Sequence, residues 1–141
     1  MEESEALASF ARFPSIRKGL AALIEGDDAY GIAERSLLCA MLLDPSSIKD
    51  VWSVVREEDF GNQARKAIAA EVFKQGGKAT ALSVASSLGD RKSGGMGSGE
   101  WFVTLMGLLD WAAWSDDVEG LCKTVMEGSI VRRSMARRGS D

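Results

Sequence analysis

No histidine occurs anywhere in this chain of 141 residues. Its absence excludes Ser-His-Asp and Cys-His catalytic arrangements and most zinc sites. Cysteine is scarce, with Cys39 and Cys122 far apart in sequence. Two thiols make neither a disulfide framework nor a Cys-rich metal site. Both fall at apolar positions of helical patterns, where small core residues of a reducing compartment are expected. There are only two prolines, so few helices are interrupted. The uninterrupted apolar run Leu37–Leu43 is far shorter than the roughly 20 residues that span a bilayer. The first residues, Met-Glu-Glu-Ser-Glu, are acidic and lack the basic start and apolar core of a signal peptide. A cytoplasmic protein without a membrane partner is therefore expected. A net charge of −4 argues against a surface that coats DNA throughout, but leaves room for a local basic patch.

What remains is a composition for one globular core. Apolar residues make up 45% of the chain and charged residues 27%, as in ordinary soluble domains. The centre is the stretch Ala33–Pro45, which reads as one helix from about Gly31 to Leu43, buried on most sides. Before it, residues 15–25 form a short helix with Ile16, Leu20, Leu23 and Ile24 on one side. Asp44 caps the next helix, with Pro45 at its first position and Ile48, Val51, Trp52 and Val55 at helical spacing. Glu57–Gly61 is a turn. A helix over Asn62–Gln75 ends at Gly76-Gly77, and Thr80 caps a short helix through Leu88. Residues 89–99 hold too much glycine for a regular element and predict a mobile connector. Two late helices follow. One runs from Glu100 to about Trp114. The other opens with a capping-box spacing at Asp116 and Glu119 and carries Val118, Cys122, Met126 and Ile130 four apart, with Leu121 and Val125 beside them. The tight link at residues 113–115 predicts an antiparallel hairpin. The fold class is all-α, with seven helical segments: a compact helical head followed by a C-terminal hairpin.

Candidate chemistry is sparse. Gly94 and Gly99 have the spacing of phosphate-loop glycines, but Glu100-Trp101 follow where Lys and Ser/Thr are needed. The carboxylates at Glu57, Glu58 and Asp59, and at Asp116, Asp117 and Glu119, are explained by helix-start electrostatics. No catalytic residue, cofactor or metal is assigned. The basic end, Arg132, Arg133, Arg137 and Arg138, has three readings: phosphate contact, complement to a helix dipole, or contact with acidic groups of a partner chain. Trp111 and Trp114, three apart beside the late turn, are candidates for a surface aromatic patch.

In order and spacing these segments resemble the N-terminal domain of the bacterial replicative DNA helicase, DnaB. Its first core-helix signature is met by Ala33, Glu34, Ser36, Leu37, Leu38, Ala40, Met41, Leu42, Leu43, Asp44 and Pro45. Glu58-Asp59-Phe60, Ala64-Arg65-Lys66-Ala67-Ile68, Gly94-Gly95, Trp101, Asp117-Val118-Glu119, Val125 and Ile130-Val131-Arg132-Arg133 follow in the family's order. The chain departs from the pattern at the tyrosine of the last helix, where Gly120 or Leu121 stands, and in a longer lead-in over residues 1–29.

The resemblance implies an N-terminal extension over 1–29 and the domain itself over 30–138, with a head at 30–99 and a hairpin at 100–138. It implies a non-enzymatic module that pairs with itself as a homo-oligomer, a dimer, to form a helicase collar. Primase or a helicase loader would be its partners in replication. On this reading Trp111, Trp114, Val118, Leu121 and Val125 form the self-association surface. Two alternatives stay open: a free-standing phage- or plasmid-type relative that binds an intact host helicase to recruit or inhibit it, and a DNA-binding module using the C-terminal arginines.

Overall fold

A computed structural model describes residues 14–24, 28–111 and 117–140. Its regular elements are the helices α1 (Pro14–Ile24), α2 (Ala29–Leu43), α3 (Ile48–Trp52), α4 (Gln63–Gln75), α5 (Ala81–Asp90), α6 (Ser98–Trp111) and α7 (Val118–Ser140). Short 3-10 turns at Pro45–Ser47, Glu57–Asp59, Gly76–Lys78 and Ser93–Gly95 join them, and no strand occurs among the described residues. The all-α fold expected from the sequence is the fold observed.

The central helix is α2. Asp28 caps it by accepting from the Gly31 amide at 2.9 Å. Every residue from Ala33 to Leu42 is buried. Leu37, Leu38 and Met41 are fully enclosed, each contributing about 1.5–3 kcal/mol through apolar burial. The helix stops at Asp44, whose carboxylate accepts from the Ser46 amide at 3.3 Å as Pro45 opens the next turn. Sequence alone places Glu34 and Arg35 at the edge of the apolar run. The structure buries both, at 0% and 1% exposure.

Around α2 the other helices close one core. Asn62 caps α4 through the Arg65 amide at 2.8 Å, and its own amide group donates to the Ala22 carbonyl at 2.9 Å. One side chain therefore starts α4 and anchors the last turn of α1. The residues Leu20 and Leu23 of α1, which lies wholly within the expected N-terminal extension, belong to the same core as Leu37 and Ile68. Gly76 ends α4 at a positive φ of 62°, a backbone conformation open to glycine. Thr80 and Ser83 cap α5 reciprocally at 3.0 and 2.9 Å.

The glycine-rich connector after α5 is an organised turn, where a mobile segment is the expectation from composition. Met96 is buried, and the buried indole of Trp101 donates to the Ser93 carbonyl at 3.0 Å. Glycine serves close approach here: a Cβ on Gly89 would lie 2.2 Å from the backbone nitrogen of Ser98.

The late helices pack differently from a simple hairpin. The main partners of α6 are α5 and then α1, whereas α7 lies chiefly on α2. Among the described residues, pairing of α6 with α7 is not one of the principal packings, and residues 112–116 between them lie outside the described ones. The reason is visible in α6, whose Trp101, Leu105 and Leu108 are all buried in the common core. The helix α7 is antiparallel to α2: Tyr30 meets Gly128, while Asp44 lines the same groove as Val118. Its cap is one residue later than the sequence spacing suggests. Asp117 accepts from the Gly120 amide at 3.0 Å, and Asp116 lies outside the described residues.

Candidate interaction surface

A buried polar knot fixes α7 against the rest of the molecule. Glu34, on α2, accepts at one carboxylate oxygen from the Gly61 amide at 2.6 Å and from Arg65 Nε at 2.8 Å. Its other oxygen accepts from Arg132 Nη1, on α7, at 3.4 Å. Arg65 Nη1 also donates to the Leu23 carbonyl at 2.6 Å. Arg132 donates its second amino group to the Asp59 carbonyl. The Asp59 carboxylate accepts from Ser129 Oγ at 2.7 Å and from the Arg56 amide at 2.9 Å. Arg133 stands 3.9 Å from the same carboxylate. A buried charge is tolerable only when paired and hydrogen-bonded, and this one is met from three directions. The knot joins α2, the 57–61 turn, α4 and the second half of α7.

The two sides of α7 differ. Toward the head, Cys122 and Val125 are buried, and Val118, Leu121 and Met126 pack half-buried against the core. On the outer side Ile130, Val131 and Met135 are 55%, 38% and 63% exposed. All residues from Arg133 to Arg138 are exposed. Charge is also polarised along the helix. Asp117, Glu119 and Glu127 belong to its start and middle, and Arg132, Arg133, Arg137 and Arg138 to its end. Exposed Lys123 partly offsets the acidic half by pairing with Glu119 at 3.4 Å.

Beside the first turns of α7 lies a groove of about 640 Å³. Val51, Val54, Val118 and Cys122 give it an apolar floor, and Asp44, Asp50, Glu119 and Lys123 line its rim. Burial, and then the Glu119 carboxylate, push the Cys122 thiol above its ordinary pKa, so it stays protonated and unreactive near neutrality. A second groove, of about 820 Å³, lies between α1, α4 and the turn before α6, with Ala64, Ala67, Met96 and Trp101 in its wall.

The residues nominated from sequence fall into distinct environments. Val118 lines the groove, and Leu121 packs half-buried on the core. Val125 is fully buried and supports the surface from beneath. Trp111 closes α6, but its side chain lies outside the described residues, as does Trp114. Arg132 and Arg133 are turned to Glu34 and Asp59, while Arg137 and Arg138 remain exposed. Periodicity at a strict step of four put Ile130 on the inner stripe. A helix turns every 3.6 residues, so that track drifts outward, and Ser129 takes the inner place. A 3–4 alternation through Cys122, Val125 and Ser129 is the signal that separates the inner face from Ile130. The groove had no sequence signal, because Val54 and Cys122 meet only through the fold.

No helix among the described residues is long and apolar enough to cross a membrane. Among known families, the model of the DnaB-like helicase N-terminal domain matches residues 31–127. The match spans most of the chain, from the start of α2 to the middle of α7, and takes in Glu34, Asp59, Arg65 and the groove. Comparison with curated proteins and with solved structures found no match.

Proposed function

Because the chain belongs to the DnaB-like helicase N-terminal domain family, we propose that it is a non-catalytic assembly and protein-interaction domain of a DnaB-like replicative helicase. In this reading it pairs with itself to build the helicase collar and presents a surface to primase or a helicase loader. The observation that carries the proposal is the outer side of α7. Ile130, Val131 and Met135 are exposed on a helix whose inner side is locked to the head by the Glu34 knot. Large apolar side chains grouped in the open favour burial against a partner. A helix already fixed in place loses little further freedom on binding, which favours association.

The arginines fit this reading better than direct DNA binding. Arg132 interacts with Glu34 of its own chain and Arg133 stands 3.9 Å from Asp59 while remaining exposed, so Arg137 and Arg138 are the outward cations with no carboxylate of the chain described beside them. Light scattering on the eluting chain over a concentration series tests the proposal. A mass that rises with concentration supports it, and a strict monomer throughout opposes it.

A further inference from the structure

We propose that the acidic segment before α1, residues 1–13, docks within its own chain on the positively charged face between α3 and α4. The proposal stands apart from the self-association reading and makes no use of α7.

At the centre of this face Trp52, 41% exposed, packs against Phe73 with ring centroids 4.9 Å apart, and the Arg56 guanidinium lies over the indole at 4.2 Å. Lys49 precedes Trp52 by three residues and so shares its side of α3. Lys66 and Phe73, seven apart on α4, lie along one side of that helix, and Lys74 follows in its last turn. The turn Gly76–Lys78 packs on α3 and brings Lys78 to the edge. No carboxylate of the described residues pairs with any of these four lysines. The face runs into the groove of about 820 Å³, which Lys66 and Ala70 line together with Glu57, the one carboxylate of that lining. Asp50, also on α3, faces the other groove, beside α7. In a chain of net charge −4, this face is a positive surface without its anion.

Residues 1–13 carry the matching chemistry. Glu2, Glu3 and Glu5 stand at one end, Leu7, Phe10 and Phe13 toward the other, and Arg12 is the single cation. Docked, the glutamates meet the lysines, while Leu7 and Phe10 cover the Trp52–Phe73 pair and the apolar wall of the groove. The segment is long enough. Pro14 lies about 12 Å of helix from Ala22, and Phe73 about 16 Å from Asn62. Ala22 and Asn62 are themselves joined by a hydrogen bond of 2.9 Å. Pro14 and Phe73 are therefore no more than about 35 Å apart, and 13 extended residues span about 45 Å.

Single-stranded nucleic acid is the other ligand that cations beside aromatic rings suggest, but its bases stack on open ring faces. Here Arg56 already covers a face of Trp52, and Phe73 meets that ring at 58°. Carboxylates need only the cations. With the acidic segment in place, those cations are not offered to DNA.

A nitroxide label on Ser4→Cys of the full chain tests the proposal by nuclear magnetic resonance. Cys39 and Cys122 are buried, and the unaltered chain treated alike controls for their labelling. The amides of Lys49, Trp52, Phe73 and Lys74 should lose most of their intensity, while Leu82, exposed on α5, keeps its own. At about 1 M salt, where the Debye length is about 3 Å, the loss should shrink. Lys49→Glu with Lys74→Glu, both at exposed positions, should remove it, and adding Glu2→Lys, Glu3→Lys and Glu5→Lys should bring it back. Circular dichroism verifies that each variant keeps the fold. Sharp amides in the labelled chain, or broadening that ignores salt and charge reversal, overturns the proposal. Broadening seen only when label and observed amide are on different molecules assigns the face to a second copy and overturns it too. If the label leaves these amides sharp but an added thymidine oligonucleotide shifts them, the face belongs to single strands and the proposal falls.

Discussion

Glu34 and Arg132 stand 98 residues apart in sequence and 3.4 Å apart in the folded chain. Their contact is the outer part of a buried knot in which Arg65 shares the same carboxylate. Glu34 lies in the segment that carries the family resemblance, so at least one polar member of that segment has a definite physical task. It holds α7 to the head.

Removing this carboxylate takes one ionic partner from the buried Arg65 guanidinium and leaves its Nε without that acceptor. Glu34→Ala should lower stability by about 3–5 kcal/mol, the usual cost of breaking a buried pair from one side. Chemical denaturation followed by circular dichroism measures it. A loss below about 1 kcal/mol would mean that the knot does not hold the fold.

Gly128 gives a sign test for the packing of α7 on α2. In an exposed helix interior, Gly→Ala stabilises by roughly 1 kcal/mol. Here a Cβ would lie 2.7 Å from Cγ of Tyr30, near the base of that side chain. Gly128→Ala should therefore destabilise, by about 1–3 kcal/mol as in other overpacked sites. A gain in melting temperature would show that α7 does not approach α2 this closely.

Glu71 should contribute to the acid limb of stability. Burial alone would raise its pKa, but hydrogen bonds from Gln75, Arg91 and Ser87, with the charge of Arg91, outweigh burial and lower it. A folded-state pKa below the unfolded one stabilises the fold above the unfolded value, near 4.5. That contribution is lost as pH falls through the lowered value. Glu71→Gln should flatten the stability profile in this acidic window while leaving its shape near neutrality unchanged. Equilibrium denaturation at a series of pH values reads both.

With Arg132 and Arg133 engaged within the chain, DNA contact has few cations to draw on. Neutralising about two phosphates gives a log–log salt slope of roughly −2. Fluorescence anisotropy with a labelled duplex should show weak binding, with a slope no steeper than that. A slope near −4 would mean that Arg132 and Arg133 leave their carboxylates, so that all four arginines reach phosphate.

Helix positions were largely legible from local signals. Asp44-Pro45, Asn62, Gly76 and Thr80 act where short-range chemistry puts them, because caps and stops depend on the neighbouring few residues. The glycine-rich connector was not legible as an ordered turn, since its order comes from the distant indole of Trp101. Nor was the partner of α7. A tight link suggests that adjacent helices pair, but α6 spends its apolar surface on α5 and α1, so α7 finds α2 instead. The candidate surface was half legible. Val118 and the basic tail were identified by type, whereas the outward turn of Ile130 and the inward turn of Val125 depend on the 3.6-residue period followed over several turns.

Self-association is the claim on which the functional account stands. Sedimentation equilibrium of the unaltered chain, taken from dilute to concentrated solution, measures it directly. The account predicts an average mass that climbs from monomer toward dimer or beyond as concentration rises. A mass that remains monomeric across the whole range would contradict it.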